Sequence, residues 1–136
     1  MDTNETKCQE LQKKVSGLLL RHKSVLDSVT KFQESTARVN RAAVKSATNC
    51  GCIQINAKKQ TIPEKVSESS IEDYHDFLST HMQGELCENC KEVVVREIGN
   101  HFFYLAALAN SLDISLEEAL EKETDKIDTL GFFNLS

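Results

Sequence analysis

Proline and glycine are scarce: Pro63 is the sole proline, and five glycines are spread over 136 residues. A β fold rich in turns needs such punctuation often, so the scarcity points to helices. Long apolar runs are missing too. No stretch approaches the roughly 20 apolar residues of a membrane span, and MDTNETKCQE lacks the apolar core of a secretory signal. These absences predict a cytoplasmic protein without a membrane partner. Nor is there an excess of positive charge, because the formal net charge of −5 argues against a chain that coats nucleic acid. Arg38, Arg41, Lys45, Lys58, Lys59 and Lys65 do make the middle basic, but no aromatic residues interleave with them, so a nucleic-acid binder is the weakest reading.

What is present suits one soluble all-α domain over residues 1–136, with 40% hydrophobic and 27% charged residues. Leu11, Val15, Leu18, Val25, Val29, Phe32, Val39 and Ala43 follow three-four spacing, with His22 and Thr36 in the gaps. The pattern predicts one helix from about Glu5 to Lys45. At 1.5 Å per residue it would run roughly 60 Å, too long for so small a chain to cover, which predicts a homo-oligomer, dimer or tetramer. The helix should stop near TNCGC, opening an irregular connection at about 46–68 in which IQINA alternates like a short strand. Ser69 or Ser70 could cap a helix through IEDYHDFLSTHM, and Gly84 marks a break. Val94, Ile98, Leu105, Leu108 and Leu112 then predict a second long helix. Ser115 and Glu118 form a capping box for the last helix, with Gly131 as its C-terminal cap.

The strongest chemical signal is in the cysteines. Cys50-Gly-Cys52 and Cys87-Glu-Asn-Cys90 supply two short chelating pairs. In a reducing compartment such pairs are metal ligands more often than disulfides, and four thiolates satisfy zinc's tetrahedron. A disulfide or redox pair and four unmetallated thiols stay open beside it. If all four bind, the site is coordinatively closed and therefore structural. His81 is an alternative ligand or a supporting residue. Cys8 is isolated and reads as a small packed or exposed side chain.

A second constellation is acidic. EIGNHFFYLAALANSLDISLEEAL, over residues 97 to 120, resembles the MazG-like family of all-α nucleotide pyrophosphohydrolases, and CGC and CENC would place the chain in a cysteine-containing subgroup. The resemblance implies cleavage of a nucleoside triphosphate between its α and β phosphates. It also implies magnesium held by Glu-x-x-Glu-Glu on one helix and Glu-x-x-Asp on the next, since magnesium takes hard oxygen ligands. Here the second motif reads Glu97-Ile-Gly-Asn100, with an uncharged amide in the last place. Glu85-Leu-Cys-Glu88-Asn89 imitates the first but lies too close to Glu97. On one helix Glu88 and Glu97 fall on opposite faces, whereas Cys90 and Glu97 are roughly aligned. Carboxylate partners for Glu97 would have to come from Asp27, Glu34, Glu72, Asp73 or Asp76, each of which reads more simply as a solvated helix charge.

Two functions follow. One is a MazG-like nucleoside triphosphate pyrophosphohydrolase with reduced or lost catalysis, using Glu97 and Asn100 for magnesium and Arg41 or Lys45 near the triphosphate. The other is a non-catalytic, zinc-stabilised helical dimer that binds a nucleotide or a protein.

Overall fold

The computed structural model describes residues 4–18, 24–61 and 75–131. In chain order its elements are helices α1 (Lys7–Leu18) and α2 (Val25–Lys45), a π turn over Ser46–Cys50, strands β1 (Ile53–Ile55) and β2 (Met82–Gly84), and helices α3 (Glu88–Ser111) and α4 (Leu116–Leu130). The chain is mostly helical, as the scarcity of proline and glycine predicts. None of the described helices is long and apolar enough to cross a membrane. The residues divide into two compact units, a helical one up to Asn40 and from Val95 onward, and a second one over Arg41–Val94.

Each helix starts where a small side chain can replace a missing helical partner. Thr6 and Gln9 cap α1 reciprocally: Gln9 N–H donates to Thr6 Oγ1 at 3.2 Å, and Thr6 N–H donates to Gln9 Oε1 at 3.0 Å. Ser24 opens α2, its Oγ accepting from Leu26 N–H at 3.2 Å and its carbonyl from Ser28 N–H at 3.1 Å. This second start corrects the single helix expected over Glu5–Lys45, because three-four spacing continues in register across a break that a capping serine creates. α2 alone is 21 residues long, about 30 Å. His22 lies outside the described residues.

Ser115 caps α4 as expected, accepting from Glu118 N–H at 3.2 Å. The Glu118 carboxylate turns instead to Lys122, so only half of the capping box forms. Gly131 ends α4, its N–H bonding to Ile127 O. Between α3 and α4 the chain reverses through Asp113 at φ 54°, with Ile114 N–H reaching back to Ala109 O at 2.9 Å and Asp113 N–H to Asn110 O at 3.2 Å. That is the double bond of a Schellman ending, with aspartate tolerating the left-handed position.

Among the described residues the core cluster of the helical unit is Val15, Ala106 and Ala107, with Leu11, Phe103 and Leu116 packed against them. Polar closure supplements it. Gln12 on α1 donates from Nε2 to Asn110 Oδ1 at 3.0 Å and to Ile114 O at 2.8 Å, and its Oε1 accepts from Leu116 N–H at 2.8 Å. Asn110 Nδ2 in turn donates to Gln12 O at 2.9 Å. One side chain thereby ties α1 to the end of α3 and the first turn of α4. On the inner side of α2 the buried residues are Ser28 and Ser35, not large apolar ones, and Phe32 stacks on His101 with ring centroids 4.7 Å apart.

In the other unit, β1 and β2 form a two-stranded antiparallel ribbon pairing Ile53 with Gly84, Gln54 with Gln83 and Ile55 with Met82. Asn56 N–H extends the ladder to His81 O at 2.8 Å. Beyond it Gln60 grips the Ser79 backbone, donating to its carbonyl at 2.8 Å and accepting from its N–H at 3.0 Å. IQINA is thus the strand expected, and Met82–Gly84 its partner. The helix expected through IEDYHDFLSTHM is corrected at its end. Residues 75–77 are helical, but His81 takes φ 60° and Met82 begins β2, because the chain must return to Ile53. The beginning of that helix, with Ser69 and Ser70, lies outside the described residues.

Replacing Gln12 by alanine strips partners from Leu116 N–H and Ile114 O at once. Urea denaturation should show a loss of about 1–2 kcal/mol, the net worth of hydrogen bonds that solvent only partly replaces. A loss below measurement error would mean that water satisfies them.

Candidate metal centre

Four short-range decisions bring the cysteines together. The π turn ends α2 by closing Gly51 N–H onto Ser46 O at 2.9 Å, and Gly51 completes it in the left-handed region at φ 82°. This reversal carries Cys50 and Cys52 away from the helix axis and into β1. The ribbon then returns the chain from Met82 to Gly84, opposite Ile53 and next to Cys52. Gly84 has φ 88°, and a Cβ there would sit 2.5 Å from Cys52 O, so only glycine lets the strand pass this close. Three residues later Cys87 occupies the cap position of α3. Its carbonyl accepts from Lys91 N–H at 2.9 Å, and its sulfur takes the usual place of a serine oxygen, accepting from Cys90 N–H at 3.4 Å.

As a result the Sγ atoms of Cys50, Cys52, Cys87 and Cys90 all lie within 4.8 Å of one another. Cys50 and Cys87, one from each pair, are 3.9 Å apart. A tetrahedron with metal–sulfur bonds of about 2.3 Å has edges of about 3.8 Å, so the donor set fits a thiophilic ion. Burial is graded around it: Cys90 is buried, Cys52 and Cys87 are half-buried, and Cys50 is exposed. All four are free thiols in the structure.

The thiols do not titrate alike. Cys90 N–H donating to its sulfur, then the Cys90 thiol, hold Cys87 down to about 7. The start of a helix is the usual place for such a thiolate. Cys90 goes the other way. Hydrogen bonding with Ser46 favours its thiolate, but the Cys87 sulfur beside it, burial and the sulfurs of Cys52 and Cys50 prevail and push it up to about 12. Cys50 is raised as well: the Cys90 side chain and Cys52 N–H favour its thiolate, yet Cys87, Cys52 and burial outweigh them. Four sulfurs this close cannot all ionise beside one another unless a cation replaces the protons.

The structure also places the other residues singled out in the sequence. Among the described residues the four cysteines form the one group of three or more Cys, His, Asp or Glu side chains that could share an ion. Cys8, on α1, and His81 stand outside it. Glu97 is half-buried and Asn100 exposed on α3, and neither is brought to the cysteines' cluster. Glu34 is engaged locally by Arg38 at 3.0 Å and Lys31 at 3.3 Å, which hold its carboxylate below the usual range. Asp27, Asp76, Arg41 and Lys45 are exposed; Glu72, Asp73 and Lys65 lie outside the described residues. Glu85 precedes α3 and Glu88 opens it.

Two features escape the sequence pattern. Ser46 is 1% exposed and supports the cluster: its carbonyl faces Cys52 Sγ at 3.7 Å, while its hydroxyl donates to Ala42 O at 3.0 Å. Nothing in SATNC marks it, although Gly51 and Gly84 flank the cysteines in ways that a turn reading can find. The other is a Ser35 Oγ to His101 Nδ1 contact of 2.8 Å. It has the composition of a nucleophile and base, but Ser35 is 1% exposed and its hydroxyl donates to Phe32 O at 2.7 Å, so it is a packing contact closed to substrate.

No protein-family model matches the chain, and no curated protein or solved structure matches it.

Gly84→Ala should disturb the site without touching a ligand. The clash with Cys52 O and the positive φ together should cost on the order of 2–3 kcal/mol in chemical denaturation. Unchanged stability would show that the ribbon shifts freely and does not set the cysteine geometry.

Proposed function

We propose that the chain is a zinc-stabilised helical protein whose metal is structural, a MazG-like scaffold acting as a binding module in place of a vigorous pyrophosphohydrolase. The convergence of Cys50, Cys52, Cys87 and Cys90 carries this reading. Four soft donors at tetrahedral spacing suit zinc, and a site that uses all of them leaves no position for water or substrate.

Magnitudes support a structural role. Among the described residues of Arg41–Val94, the buried side chains are Ser46, Ile53 and Cys90. Burying one such aliphatic residue contributes about 1.5–3 kcal/mol, whereas ordering each residue's backbone costs about 1–2 kcal/mol. Among the described residues hydrophobic burial is therefore a minor part of what orders this unit. Zinc bound by thiolates supplies about 10–16 kcal/mol of apparent free energy in small metal-dependent folds, several times what burial of Ile53 contributes. Protein purified without added zinc should contain about one ion per chain. The double variant Cys87→Ser, Cys90→Ser should lose it, and amide exchange over Arg41–Val94 should accelerate with it. Equal protection in the wild-type protein with and without metal would overturn the structural role.

A second reading is favoured by Glu97, which is half-buried, makes no ion pair among the described residues and has Asn100 one turn further along α3. On the MazG-like resemblance these two would hold magnesium against a triphosphate, the charge of the missing aspartate being lost. Because one charged ligand is a poor magnesium site, pyrophosphate release from a panel of nucleoside triphosphates should be absent or slow. Any activity present should fall at least tenfold in Glu97→Gln. Brisk turnover that disappears in that variant would restore the enzyme reading and reject the module.

A further inference from the structure

We infer that the thiolate cluster is also an oxidation site, in which a peroxide joins Cys50 to Cys87 through a disulfide and so expels the metal. The inference rests on the metal reading above and adds a regulation to it.

The four sulfurs are unequal in ways that select this pair. Cys90 is 9% exposed, in the first turn of α3, and Cys52 precedes the buried Ile53, whereas Cys50 faces solvent at the edge of the cluster. An oxidant in water therefore meets Cys50 first. The Cys87 sulfur lies 3.9 Å from it, and a disulfide requires about 2.05 Å, so the gap to close is small. Gly51 follows Cys50 in a left-handed conformation, and a side chain built there would meet nothing within 4 Å, so the outer face of the Cys50 turn is not packed against other atoms. Cys87 is held at the helix cap by Cys90 N–H and stays in place. Pairing Cys50 with Cys52 would instead close a ring across a single residue, and Cys90 is shielded by burial.

The chemistry balances with a peroxide as the oxidant. The Cys50 thiolate attacks one peroxide oxygen, an S–O bond forms, the O–O bond breaks, and hydroxide leaves. Cys87 thiolate then attacks the Cys50 sulfur, forming the S–S bond and releasing a second hydroxide. Two thiolates are oxidised by two electrons in total and the peroxide is reduced by two. The donor set drops from four thiolates to two, and Cys52 and Cys90 take up protons as the ion departs.

The test treats the purified zinc-containing protein with hydrogen peroxide, follows zinc with a chromogenic chelator, and maps disulfides by mass spectrometry of unreduced peptides. The expected result is one zinc released per Cys50–Cys87 linkage, reversed by a dithiol reductant with added zinc. Cys50→Ser should slow release about tenfold, whereas Cys8→Ser should leave it unchanged. Should Cys50→Ser fail to fold, the wild-type linkage map still decides. A Cys87–Cys90 linkage, or a Cys50–Cys87 linkage with zinc retained, overturns this inference while leaving the structural zinc intact. Protein that holds no zinc before treatment overturns the metal reading, and the regulation with it.

Discussion

The convergence of four sulfur atoms is the constraint on which residues Arg41–Val94 depend. Among its described residues Ile53 and Cys90 are the buried apolar side chains, and the four cysteines are its one convergent group. The turn after α2, the three-residue ribbon and the first turn of α3 are each short and individually weak. Together they deliver two chelating pairs to one point. The proton chemistry points the same way. Cys87 gives up its proton near 7 because a helix start faces it, and that thiolate makes ionisation of Cys90 harder. A divalent cation, if bound, would remove the conflict by taking the place of the competing protons.

The helical unit solves a different problem by different means. Its buried cluster is three residues with partial help from three more, so small side chains and satisfied polar groups carry much of the fit. Alanines on α3 and serines on α2 take little room. Where the chain turns between α3 and α4, the amide of Gln12 supplies partners to groups that a loop would otherwise leave to water. Among the described residues no buried side-chain nitrogen or oxygen is left without a partner. Specific hydrogen bonding of this kind fixes the pairing of elements even where apolar burial is modest.

Much of this was legible from residue pattern. Local rules found the strand at Ile53–Ile55, the end of α2, the cap at Ser115, the stop at Gly131 and the pairing of CGC with CENC, because each depends on a few neighbouring residues. The break between α1 and α2 was not legible, since apolar spacing stays in phase across it and the capping Ser24 looks like an ordinary polar surface residue. The end of the IEDYHDFLSTHM helix is not legible locally, because strand pairing with a distant segment outweighs local helix preference. Gln12, Ser46 and the fit of Gly84 against Cys52 depend on residues far apart in sequence, for which periodicity carries no signal.

The π turn over Ser46–Cys50 has a consequence for how such a chain can vary. Its closing bond spans five residues, from Ser46 O to Gly51 N–H, in place of the four of an ordinary helical turn. Each residue of a helix advances the side-chain direction by about 100°. Deleting one position between Lys45 and Cys50 would swing the first sulfur to another azimuth while leaving every cysteine in the sequence. Loop length there is therefore coded as strictly as the cysteines themselves, and substitutions of Ala47, Thr48 or Asn49 should be tolerated far better than any change in the number of residues.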